Sequence, residues 1–317
     1  MSFEIREATP ADSEGVRALV ERVFGTAMPE EEWRWKFERN PDGWRGVVGV
    51  HDGRIVGNYA GWGLRFLVDG EPVRLYSVGD VATDPSARGL GGRRGVFRAM
   101  AEAFFESVAS EVPFCFGFPG ARHRLVSERI VGSQTLFPVI LREVDAGAFG
   151  PPPSDMESGE FPPESFDPLW AAARTRLSHA AVRDRERVNW RFHGRPTRYY
   201  RMVWRLQAGE MIGWAVLCAD TQGETATATV VDFLSSEPDG ADLPALFACA
   251  AEEARRLGAR RLIFWETPGG PGRLAIASLP GERREAGFPM IARVFDAKSA
   301  SRFARRLHLV PSLYDLV

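Results

Sequence analysis

A loop rich in glycine and arginine, between a predicted strand and a predicted helix, contains the residues best suited to chemistry. The apolar segment that ends at Ala82 predicts a buried strand, and Asp84-Pro85 ends it because proline has no N–H to donate to a neighbouring strand. From Val96 to Val108, apolar residues recur at helical spacing, which predicts a helix. The loop between the two elements contains Arg88, Gly89, Gly91, Gly92, Arg93, Arg94 and Gly95.

The composition of this loop favours the binding of a pyrophosphate group. Glycines let the backbone approach a ligand and turn successive N–H groups toward it. A helix N-terminus adds unpaired donors and about half a positive charge, and arginines bind phosphate oxygens with two hydrogen bonds. The loop is neither a Walker loop nor a dinucleotide fingerprint, because no Lys-Ser or Lys-Thr pair closes it and its glycines have the wrong spacing. A surface loop with solvated arginines is the alternative that composition alone leaves open.

The order of strand, Asp-Pro, Arg-Gly-x-Gly and apolar helix resembles motif A of the GNAT acyl-CoA-dependent N-acetyltransferases. That family carries Gln/Arg-x-x-Gly-x-Gly/Ala at this point. Arg88-Gly89-Leu90-Gly91 fits the first half of the pattern, whereas Arg93 stands where a small residue is expected. A second register over residues 92–97 matches the beginning of the helix better but lacks the leading arginine. We therefore expect a longer loop than the family usually has.

The resemblance implies an acyl-CoA as co-substrate, with acetyl-CoA the first choice, and direct transfer of the acyl group to a primary amine in a ternary complex. The backbone of the central strand would pair with the pantetheine arm, and the loop would hold the pyrophosphate. The implied cofactor-binding residues are Val81, Ala82, Thr83, Arg88, Gly89, Gly91, Gly92, Arg93, Arg94, Gly95 and Val96.

Three residues are candidates for moving protons in that reaction. Asp80, on the central strand, is the first candidate for the base, and a structural carboxylate at a strand end is the alternative. Many GNAT enzymes have a tyrosine four residues before the glycine that ends the next helix, but counting back from Gly132 gives Glu128, which needs a raised pKa to act as an acid. His123 is the third candidate, unless it only belongs to a solvated helix start.

The resemblance implies an α/β (α+β) fold of two tandem GNAT-like domains, each with a mixed, mostly antiparallel central sheet flanked by helices. Residues 1–145 are expected to form the acyl-CoA-binding catalytic domain. Residues 146–166 are rich in proline and predict a linker. Residues 167–317 are expected to form a degenerate GNAT-like domain with an acceptor-side or structural role.

A weak internal repeat supports two copies of one fold. The aromatic segments around Trp35 and Trp190 are each followed by a turn and by alternating strands. After the predicted central strand of the second copy, residues 235–242 contain three carboxylates and no arginine, so a phosphate would be repelled there. Tandem proteins with one degenerate half, including the enhanced-intracellular-survival type, are known in the family.

Composition limits the compartment and the partners. The chain has 317 residues, of which 44% are hydrophobic, and a formal net charge of −2, which excludes a global basic field for nucleic acid. Neither a membrane-spanning apolar run nor a signal-peptide pattern occurs. Three scattered cysteines fit reduced, buried thiols of a cytoplasmic protein, and the five histidines lack metal-ligand spacing. We expect no metal, no nucleic acid and no membrane partner.

Two other functions stay open at this stage. A non-catalytic acyl-CoA-binding or interaction protein is favoured by the absent tyrosine and the altered loop. An aminoacyl-tRNA-dependent transferase would also pair two GNAT-like domains, but the slight net acidity and the arginines of the first half argue against it. The expected acceptor is a small-molecule or peptide amine.

Overall fold

The structure, a computed structural model, divides into two compact units. It describes residues 2–92, 95–160, 166–220, 226–270 and 272–314. Unit 1 comprises Met1–Arg65, Val73–Phe137 and Pro289–Ala300, and unit 2 comprises Phe66–Pro72, Pro138–Phe288 and Ser301–Val317. Neither unit is one continuous stretch of chain. The domain limits given above stay a prediction, and the stretch predicted as a linker contains a short strand over Met156–Gly159.

Strands and helices are interspersed along the chain. The strands are β1 (Glu4–Glu7), β2 (Trp44–His51), β3 (Arg54–Val68), β4 (Glu71–Thr83), β5 (Phe114–Gly117), β6 (Gln134–Asp145), β7 (Met156–Gly159), β8 (His179–Ala181), β9 (Arg201–Gln207), β10 (Glu210–Asp220), β11 (Thr227–Ser235), β12 (Arg261–Trp265) and β13 (Glu282–Val294). The α-helices are α1 (Ser13–Phe24), α2 (Glu30–Trp33), α3 (Val96–Val108), α4 (Ala121–Val131), α5 (Phe166–Arg174), α6 (Arg185–Val188), α7 (Leu243–Arg256), α8 (Arg273–Ser278) and α9 (Ala297–Arg306).

The sheet of each unit is mostly antiparallel and contains one parallel pair. In unit 1 the strand order is β1-β2-β3-β4-β5-β13, and β4 runs parallel to β5. In unit 2 the order is β6-β12-β11-β10-β9-β7, and β11 runs parallel to β12. The short strand β8 pairs with the end of β3 that belongs to unit 2. The predicted fold class is confirmed: a mixed α/β protein whose mostly antiparallel sheet is flanked by helices.

A π-helix occurs in each unit at the aromatic segment that the sequence repeats. In unit 1 it spans Arg34–Glu38, directly after α2, and the N–H of Arg39 bonds to the carbonyl of Arg34 at 2.7 Å. In unit 2 it spans Asn189–His193, directly after α6, and ends in an equivalent bond at 2.8 Å. The weak repeat in the sequence is thus matched by the same uncommon local structure.

Helix α3 packs on the sheet of unit 1 at glycines that leave room for its side chains. A Cβ atom at Gly57 would lie 2.6 Å from the sulfur of Met100, and one at Gly61 would lie 2.8 Å from Cζ of Phe104. Met100 and Phe104 are fully buried, so neither has free space to move into. The sheet therefore fixes the position of α3 and, with it, the position of the helix N-terminus.

Replacing Gly61 with alanine is expected to lower the free energy of unfolding by about 1–3 kcal/mol, because overpacking strains a closed core. The new methyl group would lie 2.8 Å from the ring of Phe104 and 3.1 Å from Cβ of Tyr76. Urea denaturation measures the change. Gly89→Ala is the matched control, since a Cβ at that position meets no described atom within 4 Å. Equal stability of the two variants would contradict the close packing of α3.

A buried carboxyl group precedes helix α7 in unit 2. Asp242 is 1% exposed, and its Oδ1 accepts a hydrogen bond from the hydroxyl of Ser235. Its Oδ2 is buried and has no hydrogen-bond partner among the residues that the structure describes. Burial raises the pKa of Asp242 to about 6, since an ionised carboxylate is poorly solvated there.

Asp242 is expected to make unit 2 less stable as the pH rises from about 4 to 6. The pKa of Asp242 in the folded state lies above the ordinary value of 3.8. The stabilisation that the protonated carboxyl gives is therefore fully present below pH 3.8 and is lost as the pH rises to about 6. A shift of this size corresponds to about 3 kcal/mol. We therefore expect Asp242→Asn to raise the free energy of unfolding at pH 7.5 and not at pH 4, as urea denaturation would measure.

The control for this variant is Asp155→Asn, which also removes a carboxylate from unit 2. The ion pair with Arg205 lowers the pKa of Asp155, so its replacement should not raise stability at pH 7.5. A loss of stability in Asp242→Asn at pH 7.5 would contradict a raised pKa of this carboxyl group in the folded protein.

Candidate functional site

Strands β4 and β5 of unit 1 separate before β4 ends. Their register pairs Tyr76 with Cys115 and Ser77 with Phe116, and β4 continues to Thr83. Residues 78–81 are only partly buried. The side of β4 that faced β5 thus offers backbone groups to a ligand at the point where the two strands part.

Gly117, at the end of β5, lies at this separation. A Cβ atom there would come 3.0 Å from the carbonyl oxygen of Val78, which is closer than most Cβ atoms tolerate. The glycine therefore permits the two backbones to approach each other just before they diverge.

The Asp84-Pro85 pair fixes the beginning of the loop that follows β4. The N–H and hydroxyl of Ser86 donate to Asp84 Oδ1 at 3.0 and 2.7 Å, and Arg22 and Arg54 donate to Oδ2 at 3.2 and 2.6 Å. These hydrogen bonds, those from Ser86 first, hold the pKa of Asp84 well below its usual range. The carboxylate thus anchors a short 3-10 turn over Pro85–Ala87.

The middle of the loop takes up backbone conformations that glycine favours. Gly91 and Gly92 have φ values of 79° and 58°, in the left-handed region, and both are exposed. Arg88 and Gly89 are exposed as well, so a ligand in solution can reach them. Arg93 and Arg94, which were predicted to bind the pyrophosphate, lie outside the described residues.

The loop ends at the N-terminus of helix α3. Gly95 is the N-cap residue, and no described side chain caps the helix there. Its N–H bonds to the carbonyl of Gly92 at 3.1 Å, which closes the loop onto the helix. The side chain of Val96 is buried in the core of unit 1, so only its backbone N–H is suited to the predicted ligand contact. A helix N-terminus of this kind favours negative charge.

Asp80 lies in β4 within the stretch that leaves β5, and its backbone is unusual. Its φ is +50°, a region that aspartate and asparagine enter more easily than most residues. The Nζ atom of Lys36 lies 2.6 Å from Asp80 Oδ2, and both side chains are largely buried, at 6% and 14% exposure. The side-chain amide of Asn58 donates to the Asp80 carbonyl at 2.8 Å, which holds this backbone in place.

Lys36 and Asn58 are functional candidates that the sequence interpretation missed. Lys36 belongs to the π-helix of unit 1, where it follows Trp35 within an aromatic segment. Asn58 is fully buried in β3, and its Oδ1 has no partner in the described part of the chain. A lysine between core aromatics and an asparagine inside an apolar strand were the available signals, because buried polar groups need partners.

Helix α4 carries the other two proton-transfer candidates, His123 and Glu128, and each has partners of its own. The ring of His123 contacts the ring of Phe97 edge-on, with centroids 5.9 Å apart, and burial lowers its pKa, so the imidazole is neutral. Glu128 Oε1 accepts a hydrogen bond from Thr135 at 2.8 Å and lies 4.0 Å from Nε of Arg124. Both contacts are made by the same oxygen of Glu128.

Three further observations concern features expected from composition. Across the ranges that the structure describes, no group of three or more His, Cys, Asp and Glu residues is placed to hold a metal ion. The same ranges contain no helix with the length and apolar character to cross a bilayer. Cys115, Cys218 and Cys249 are buried and form no disulfide with one another.

Comparison with known proteins identifies the region that contains this site. Residues 4–132 match the model of a family described as an acetyltransferase (GNAT) domain. A search of curated proteins gives no match to the sequence. The matched residues include the two strands that separate, β4 and β5, together with the glycine-rich loop and helix α3.

Solved structures resemble the chain over most of its length. A GCN5-related N-acetyltransferase from Anabaena variabilis has a TM-score of 0.68 at 12% identity, covering 94% of this chain and 74% of that one. Eis1 from Mycobacterium abscessus has a TM-score of 0.60 at 14% identity, covering 94% and 75%. Saccharomyces cerevisiae N-myristoyltransferase with bound myristoyl-CoA has a TM-score of 0.58 at 11% identity, covering 92% and 83%. At these identities the likeness is one of fold.

Proposed function

We propose that this protein is an N-acyltransferase that transfers the acyl group of acetyl-CoA, or of another acyl-CoA, to a primary amine; the match of residues 4–132 to the acetyltransferase (GNAT) domain model supports this. The observation that carries the proposal is the separation of β4 from β5 directly before a glycine-rich loop and a helix N-terminus that no side chain of the described residues caps. One side of this site offers backbone groups for a pantetheine arm, and the other offers N–H donors for phosphates.

The binding roles follow from the order of these elements. The backbone of Val81, Ala82 and Thr83 would pair with the pantetheine arm. The N–H groups of Gly89, Gly91, Gly92 and Val96 and the side chains of Arg88, Arg93 and Arg94 would hold the pyrophosphate. Gly95, whose N–H bonds to the carbonyl of Gly92, would let the backbone approach the ligand there. In this arrangement the thioester lies near Asp80, where β4 has its left-handed residue.

The reaction needs one proton acceptor and one stabilised leaving group. The neutral amine attacks the thioester carbonyl carbon, an amide bond forms, the C–S bond breaks, and the CoA sulfur leaves with the electron pair of that bond. We assign Asp80 as the base that takes the amine proton, because its side chain belongs to the part of β4 beside which the thioester is proposed to lie, and Lys36 holds it in place at 2.6 Å. His123 and Glu128 are the weaker candidates, for the acid that donates a proton to the leaving sulfur. The acceptor is a small-molecule or peptide amine.

Titration calorimetry with acetyl-CoA, followed by an assay of free CoA thiol with a set of amines, tests this proposal. We expect heat of binding for the wild type and a weaker signal for the Arg88→Ala and Arg94→Ala variants. Arg129→Ala, an exposed arginine on α4 of the same unit, is the control and should bind as the wild type does. Absence of heat in the wild type would contradict acyl-CoA binding by this unit.

A second function, acyl-CoA binding without transfer, is favoured by one observation. Asp80 and Glu128, the two carboxylates proposed to move protons, are both engaged with cationic side chains. Binding of acetyl-CoA with no thiol release across the amine set would support this second function.

A further inference from the structure

Asp80 has a left-handed backbone inside a strand, which no other described residue apart from glycine has. Its φ of +50° lies within β4. The other non-glycine residues with positive φ in the described ranges lie in turns between elements: Asp52, Asp69, Ala208 and Asp239. Turns use this conformation, whereas a strand does not, so the surroundings must hold the strain at position 80. Residues strained in this way cluster at functional sites.

Two side chains from separate elements hold residue 80. Lys36, from the π-helix of unit 1, lies 2.6 Å from its carboxylate, and the side-chain amide of Asn58, from β3, donates to its carbonyl at 2.8 Å. The peptide that joins residues 80 and 81 is trans, so its N–H points away from its carbonyl. The bond from Asn58 therefore sets the direction of the Val81 N–H as well as that of the Asp80 carbonyl.

The burial of Asn58 is not explained by the stability of the core. The side chain is 0% exposed, and its Oδ1 is buried without a hydrogen-bond partner in the part of the chain that the structure describes. An unpaired buried acceptor costs at least as much as one neutral hydrogen bond contributes. Leucine has nearly the same shape and would fill the place without that cost. The N–H donor of Asn58 is thus the property that this position uses.

We propose that Asn58 is a positioning residue for acyl transfer. It does not touch the substrate; it holds the peptide of residues 80 and 81 so that the Asp80 carboxylate and the Val81 N–H both lie at the proposed thioester position. Without this bond residue 80 relaxes to an extended backbone, and both groups turn away, because Lys36 holds only the side chain. The inference rests on the acyltransferase function proposed above and adds the residue that sets the geometry of its base.

Thiol-release kinetics of the full chain carrying Asn58→Leu test the proposal. We expect kcat to fall roughly 10- to 100-fold, since small displacements of reacting groups have effects of this size. The KM for acetyl-CoA is expected to change far less, because the glycine-rich loop is unaltered. A structural role alone would lower stability without separating kcat from KM.

Asn40→Leu is the matched control. Asn40 is a buried asparagine of the same unit; its amide donates to the carbonyl of Gly63 at 3.2 Å, and its Oδ1 accepts from the N–H of Asp42 at 3.0 Å. Because both ends of this amide are paired, Asn40→Leu should lower the melting temperature more than Asn58→Leu does, while the folded variant keeps the wild-type kcat. An equal fall of kcat in the two variants would overturn the proposal.

Crystal structures of the variants give a readout that does not depend on activity. Residue 80 is expected to have a negative φ in Asn58→Leu. It should also have one in Asn58→Ser, whose hydroxyl is too short to reach the carbonyl and which replaces the leucine variant if that does not fold. A left-handed residue 80 in these variants, or a wild-type kcat in folded Asn58→Leu, would overturn the proposal. Absence of thiol release from the wild type would count against acyl transfer itself, and the φ of residue 80 would then decide alone whether Asn58 sets this backbone.

Discussion

Replacing Gly95 with aspartate is expected to lower the affinity for acetyl-CoA about 100-fold and to stabilise helix α3 slightly. Gly95 has φ −52° and ψ 161°, a conformation that suits an aspartate N-cap and needs no glycine. An aspartate cap would add a few tenths of a kcal/mol to the helix, but its charge would lie where the pyrophosphate is proposed to bind. Titration calorimetry and thermal unfolding measure the two effects separately.

Gly95→Asn is the matched control for this prediction. The side-chain oxygen of asparagine accepts hydrogen bonds from the same N–H groups of the first turn but carries no charge. Its Cβ would lie at the same 3.3 Å from the carbonyl oxygen of Leu90. We expect its loss of affinity to be about tenfold, the value of one hydrogen bond. If aspartate and asparagine weaken binding equally, the diphosphate does not lie at the start of α3.

Replacing Lys36 with methionine is expected to lower the free energy of unfolding by about 3–5 kcal/mol, because Asp80 would be left as a buried charge without its cation. The Nζ–Oδ2 distance of 2.6 Å and the low exposure of both side chains place this pair in the low-dielectric interior. Urea denaturation of the variant measures the loss. The double variant Lys36→Met/Asp80→Asn should recover most of the stability, since asparagine tolerates the left-handed φ of position 80.

The same double variant tests the role of Asp80 in catalysis. The double variant is expected to bind acetyl-CoA as the wild type does. Its rate of thiol release is expected to fall by roughly 100-fold or more, as the loss of a general base predicts. Thiol release at the wild-type rate would remove Asp80 from the mechanism. A double variant no more stable than Lys36→Met would show that the buried charge is not the cause of the instability.

Local patterns were sufficient to predict the elements that position the site. Helix α3 was predicted over residues 96–108 and is observed over the same range, because apolar spacing and a preceding glycine both mark its start. The Asp84-Pro85 pair correctly marked the end of β4. The glycine at position 132 caps α4 with a φ of +67°, as a C-terminal glycine commonly does.

Contacts between distant residues could not be predicted in this way. Lys36 and Asp80 are far apart in the sequence, and neither hydropathy nor spacing indicates that they meet. The same holds for Arg183 and Ser312, which both donate to Asp232 of β11 from distant parts of the chain. Such pairs depend on strand order and packing, which the resemblance to a family implied only in outline. The roles of the individual loop residues stay predictions.

The two π-helices share a residue pattern that places a basic side chain between aromatic ones. A π-turn arises when one extra residue is accommodated within a helix, and such turns are rare and often occur at functional sites. One follows α2 and the other follows α6, with a cationic residue between two aromatic ones each time, Lys36 and Arg191. Both basic side chains are buried, so the two π-helices each bring a cation into the interior of their own unit. A charge in that position needs partners, and each π-helix therefore ties its aromatic segment to polar groups elsewhere in the same unit, Asp80 for Lys36 and the carbonyl of Ser312 for Arg191.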